Sequence, residues 1–274
     1  MKLRNIFLAP TAILMAITML APLAIIVVYS FMTRGAYGGV ELPWTSENFT
    51  RLWDPVYGVI FLRSFWIAAV ATAFCLLFGF PLAMFIARSG PRKNLYLSLV
   101  ILPFWTSFLI RTYAWMFLLR DTGIINSVLQ SLGIIREPLP LLYNDGAVIL
   151  GLVYGFLPFM VLPLYATLER LDLALLEAAA DLGARPWDTL VRVTLPLCAP
   201  GIRAGAILVF VPCLGTYLTS DLLGGSKTVL IGNVVQNQLT ASRDWPFGAA
   251  LSLALMAVAM VLLFTARRKG EELL

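Results

Sequence analysis

The sequence predicts an all-α integral membrane protein with six transmembrane helices and both termini in the cytoplasm, and three observations carry that reading. The 274 residues are 60% hydrophobic and only 13% charged, with a mean hydropathy of +0.86, where an average soluble domain is about a quarter charged. Six apolar runs reach the roughly 20 residues a helix needs to cross the hydrocarbon core. The basic residues divide unevenly between the loops that join them.

The first run, Phe7 to Met32, follows Lys2 and Arg4 as a secretory signal would. It is far longer than the roughly 7–15 residues of a signal core and has no clear small-x-small cleavage site, so a retained anchor is expected. The second and third runs are Phe61 to Ala87 and Leu95 to Leu119. The fourth is Ala147 to Leu168, the fifth Gly201 to Leu222 and the sixth Phe247 to Ala266. No repeat or low-complexity tract divides them, and residues 1–274 read as one membrane domain.

With the N-terminus inside, the cytoplasmic set is Lys2, Arg4, Arg88, Arg92, Lys93, Arg170, Arg185, Arg192, Arg203, Arg267, Arg268 and Lys269, twelve residues. The outer set is Arg34, Arg51, Arg63, Arg120, Arg136, Lys227 and Arg243, seven residues. The positive-inside rule selects this orientation. The outer loops are long and rich in Gly, Pro and Asn, and Ile124 to Ile135 is too short to span, so an amphipathic surface helix is expected there. Trp44, Trp53 and Trp245 suit an aromatic belt at the outer interface.

One charged island stands between the fourth and fifth runs. Leu171 to Leu182 has helical leucine spacing, with Asp172 placed to cap it. Gly183 follows where a helix ends through a left-handed residue, and Pro186 can open another with its φ already set. The expected local structure is helix, sharp turn, helix.

Composition excludes several functions. The net charge of +5 could suggest nucleic acid, but no basic stripe with interleaved aromatics is present. There is no histidine, and Cys75, Cys198 and Cys213 are scattered in apolar segments, which argues against a metal site or a disulfide framework. Leu223 to Thr228, LGGSKT, approximates the end of a phosphate loop, yet Ser226 stands where glycine must precede the lysine. A turn after the fifth run is the simpler reading.

Within the spans, Arg111 is the one deep charge, and intramembrane charges are functional candidates by default. An ion pair with Asp221 and outward snorkelling along its own stem are the two alternatives. Trp105, Tyr113, Trp115, Tyr154 and Tyr217 can line a path and hold a cation by their ring faces, or can simply pack. Gly151 with Gly155, and Gly201 with Gly205, permit close helix contact. Pro103, Pro158, Pro163 and Pro212 are expected to kink spans.

Glu177-Ala178-Ala179, three residues, Gly183, nine residues, Val193, one residue and Leu195-Pro196 resemble the EAA signature of the membrane-spanning subunits of bacterial ABC importers, with Val193 where isoleucine is usual. The resemblance implies the type I importer permease fold. It also implies a coupling segment at about 171–195 that docks on a separate ATPase, with Glu177 facing the ATPase, Gly183 making the turn and Arg185 among the coupling residues. Four further blocks, Leu102 to Trp115, Gly151 to Tyr165, Ser220 to Gln238 and Arg243 to Ala250, resemble the spermidine/putrescine importer permeases. The expected protein is therefore not an enzyme but a multi-pass subunit of the bacterial inner membrane, moving a small amine along a path that includes Trp105, Arg111, Tyr113, Trp115, Tyr154, Tyr217 and Asp221. The partners implied are an ATP-binding subunit dimer, a second permease of different sequence and a periplasmic binding protein. This chain itself binds no cofactor, and ATP and Mg belong to the ATPase. Importers of other amines, amino acids or opines share this architecture. A secondary transporter driven by an ion gradient would leave the spacing of the charged island unexplained, and no inverted repeat supports one.

Overall fold

Most of the apolar runs become helices in the computed structural model, which describes residues 2–271. In chain order they are α1 (Lys2–Ser30), the strands β1 (Met32–Arg34) and β2 (Val40–Trp44), α2 (Glu47–Arg51), α3 (Pro55–Ala87), α4 (Lys93–Ile101), α5 (Phe108–Leu119), α6 (Ile124–Ser131) and α7 (Asp145–Leu168). Then follow α8 (Leu173–Asp181), α9 (Pro186–Thr189), α10 (Leu195–Leu197), α11 (Ala199–Gly215), α12 (Ile231–Leu239) and α13 (Trp245–Glu271). Two compact units divide the chain, one of Met1–Phe61 with Ile231–Val261, the other of Leu62–Leu230 with Leu262–Leu274.

In the first unit, the purely helical expectation needs correction. β1 and β2 pair antiparallel, Thr33 opposite Glu41 and Arg34 opposite Val40, in a loop whose glycines and prolines suggested only turns. Gly38 and Gly39 take φ of +93° and +81°, a conformation glycine enters without steric cost. Asn48, buried, donates to the carbonyls of Ser30 and Met32 and ties the hairpin base to α2. Arg51 meets Asp244 at 2.9 Å and lies 3.9 Å over the Phe247 ring. Phe247, Ile231 and Leu251 form a sealed core against Tyr57, Phe61 and Val234.

The second unit is built on α7. Glycines let its neighbours approach where any side chain would intervene: a Cβ on Gly201 of α11 would lie 2.4 Å from Thr167 Oγ1, and one on Gly205 2.6 Å from Met160 Sδ. On α7 itself, a Cβ on Gly155 would meet Phe108 of α5 at 2.9 Å. Both glycine pairs therefore do what their spacing predicts. α7 runs through Pro158 and Pro163 without interruption, whereas Pro103 falls at a true break.

That break changes the third span. The helix gives way to a 3-10 turn at Leu102–Trp105, Thr106 is extended, and the segments on either side meet at 89°. The fifth run likewise differs from expectation: α11 ends at Gly215, Thr216 is extended, and a π-helical turn occupies Ser220–Gly224. Among the described residues four helical stretches are singly long and apolar enough to span, within α1, α3, α7 and α13, and up to six if each of two bent pairs counts as one.

Candidate functional site

The charged island folds as its sequence predicts. Asp172 caps α8, its Oδ1 accepting from the Ala174 N–H at 3.0 Å. At the far end Gly183 takes φ +79°; its N–H donates to Ala180 O and that of Ala184 to Ala179 O. This pair of bonds is the Schellman ending, which satisfies carbonyls a helix otherwise leaves open. Arg185 then takes the N-cap position of α9 without a side-chain hydrogen bond, and Pro186 opens the helix. The part the sequence did not disclose is a π turn at Leu190–Thr194, carrying Val193, before Leu195 and Pro196 enter α10. The wider helical turn has no marker in residue type alone.

What this segment displays is its useful property. Glu177, Ala178 and Arg185 are exposed, and Ala179 and Leu195 half-buried. Glu177 makes no ion pair among the described residues. Leu182 is 89% exposed and Trp187 72%, so two large apolar side chains stand out beside a free carboxylate. Behind them lies a cavity of about 1150 Å³, with Glu177, Ala180 and Ala184 on one wall and Met84, Ala87 and Arg88 from the end of α3 on another. Apolar knobs beside an unpaired charge, on a rigid turn, suit contact with another macromolecule.

The segment is joined to the bundle where α7 ends. Glu169 accepts from Lys93 Nζ at 2.6 Å, a contact sequence reading overlooked because the residues are 76 positions apart. Lys93, and next the Tyr165 hydroxyl, hold the Glu169 carboxyl below the ordinary carboxylate range.

Trp115 of α5 and Tyr154 of α7 pack edge to face, ring centroids 5.5 Å apart, and Phe108 meets Phe156 at 6.2 Å, so α5 and α7 share an aromatic seam, which Phe104 of the preceding turn extends by meeting Phe159 at 5.3 Å. Trp105, Tyr113, Tyr154, Tyr217 and Asp221 are exposed. Arg111 forms no ion pair with Asp221; its guanidinium carbon sits 4.5 Å from the Phe104 ring centroid and 5.7 Å from that of Phe108. Its Nε and Nη1 are buried without an acceptor, so ring faces supply part of the stabilisation. Among the described residues no His, Cys, Asp and Glu cluster could hold a metal.

The helical fold is shared with solved ABC importers. A bacterial alginate ABC transporter superposes with a TM-score of 0.70 at 21% identity, covering 98% of this chain and 95% of that one. An inward-facing methionine transporter, MetNI, gives a TM-score of 0.59 at 17% identity over 81% of this chain and 99% of its own. Residues 76–268 match the family of binding-protein-dependent transport system inner membrane components, and the chain belongs to that family. Among its relatives, the spermidine/putrescine transport system permease protein PotB of Escherichia coli K12 is 45% identical over 92% of each chain. PotB of Haemophilus influenzae is 43% identical over 93% of this chain and 89% of its own.

Proposed function

We propose that this chain is the permease subunit of an ATP-driven importer whose cargo is a polyamine such as spermidine or putrescine. The observation that carries the reading is the segment Glu177 to Pro196: a free carboxylate and two exposed apolar side chains on a turn fixed by Gly183, at the end of the central helix. A dimeric ATP-binding subunit docks there and supplies the energy, with ATP and Mg held by the ATPase and not by this chain. A second permease of different sequence completes the pathway, and a periplasmic binding protein delivers the amine. In this reading there are six spans, counting each bent pair once, both termini are cytoplasmic and the docking segment lies inside the cell, which the distribution of arginine and lysine supports.

For the cargo, the support is the pair of relatives above together with the chemistry of the exposed residues. Asp221 receives an ammonium group, and Trp105, Tyr113 and Tyr217 offer ring faces to the cation as it passes. Trp115 and Tyr154 stiffen the wall. Arg111 supplies the opposite sign, a charge beside which an amine does not settle.

The test is Glu177→Lys. In cells carrying the full set of subunits, this substitution leaves membrane insertion and chain abundance unchanged and abolishes uptake, because reversing one partner of a docked ion pair leaves both charges uncompensated. Uptake at the normal rate would remove the coupling assignment.

A further inference from the structure

Asp145 is the first residue of α7, at the end opposite the coupling segment. A carboxylate is favoured there, since a helix N-terminus carries partial positive charge. Its Oδ1 accepts from two side chains on different elements, Arg63 Nη2 of α3 at 2.7 Å and Thr228 Oγ1 at 2.5 Å. Thr228 is buried to 1% exposure, so its hydroxyl has lost water and relies on this acceptor.

Thr228 follows the run of short turns that begins beyond α11 at Thr216, takes in the π turn with Asp221 and ends in a 3-10 turn at Gly225–Lys227. The segment packs against α5 as well as α7, and its contacts with α7 fall near the start of that helix and on the residues just before it. The Tyr143 N–H donates to Leu223 O at 2.8 Å. A Cβ on Gly151 would lie 2.5 Å from Leu223 Cδ1 and 2.8 Å from Thr219 Cγ2, and one on Gly224 would lie 2.8 Å from Val148 Cγ2. At its other end α7 leads through Glu169, clamped by Lys93, into α8.

We propose that Asp145 is a positioning residue for transport: it fastens residues 216–228 to α7, so that Tyr217 and Asp221 travel with the helix that carries the coupling segment. This rests on the permease reading given above. Movement imposed on α8 by an ATPase then reaches the amine-facing residues through one rigid helix, without a second hinge. A packed body that shifts as a unit is what a two-state transition needs, and the claim concerns a named mechanical joint that can be broken and remade.

Two sets of variants test it in the assembled transporter, reconstituted with its ATPase, second permease and binding protein. Thr228→Val removes only the hydroxyl, and uptake per ATP hydrolysed falls about tenfold, while Thr228→Ser keeps it within about threefold of the parent. In the second set, Asp145→Cys with Thr228→Cys breaks the joint when reduced and remakes it covalently when oxidised; the native thiols Cys75, Cys198 and Cys213 are buried. Uptake is low in the reduced pair and recovers on oxidation. The proposal is overturned if Thr228→Val couples normally, if Val and Ser variants fall alike, or if oxidation leaves uptake unchanged or stops it, the last meaning that the segment must part from α7 in each cycle. Should Thr228→Val fail to assemble, the cysteine pair decides alone. A parent complex without ATP-dependent uptake would refute the permease reading itself, a different result from a parent that transports and a joint that does not matter.

Discussion

Single residues set how closely this bundle packs. Gly201 is the sharpest case, because an added Cβ would meet the Thr167 hydroxyl at 2.4 Å and the backbone oxygen of Pro163 at 2.9 Å. A hydroxyl can rotate away, but a backbone carbonyl on a neighbouring helix cannot without parting α7 from α11. Gly201→Ala is therefore expected to cost about 1–3 kcal/mol, the usual range for overpacking, read as a lower midpoint of thermal unfolding in detergent. Gly183 and Asp172 were legible in the sequence because capping and left-handed turns depend on residue type at one position. Arg111 was legible as a deep charge but not by its partner: ring faces beside a guanidinium depend on how the chain bends, and Pro103 marks a kink without fixing the 89° turn that follows it.

At the level of elements, periodicity and length located α1, α3, α7 and α13 well, since a long apolar run has one way to satisfy its backbone in lipid. They failed at the third and fifth runs, where hydropathy continues unbroken while the backbone does not. The short hairpin escaped for the opposite reason, its strands being 3 and 5 residues long and too brief for alternation to register. The joint between α7 and α8 invites a charge exchange. Lys93→Glu and Glu169→Lys are each expected to lower uptake per ATP hydrolysed by about threefold. Both together are expected to restore it, as a double-mutant cycle in the reconstituted transporter would reveal. The effect is modest because both side chains are more than a third exposed, where water and salt screen the pair. The depressed pKa of Glu169 fixes the sign with pH: its contribution is complete above the ordinary carboxylate range and fades only as pH falls through the lowered value.

For the whole molecule, the coupling assignment is drawn from the spacing of Glu177 to Pro196, whereas the Asp145 joint joins residues 82 and 83 positions apart whose local sequence shows only a helix start and a turn. Purification of the tagged chain from its native membrane should bring down an ATP-binding subunit and a second permease in fixed proportion, and a chain recovered alone would count against the assembly. In cells holding the full set, spermidine and putrescine should compete for uptake while 4-aminobutyrate and an opine should not. The broken third segment also bears on how the chain is made. A run interrupted at Thr106 and carrying Arg111 in the first turn of the following helix is a poor candidate for independent entry into lipid, because a guanidinium in an apolar segment is costly to take out of water. The expectation is that this segment settles in lipid only once α7 has been made and its phenylalanines can close the aromatic seam.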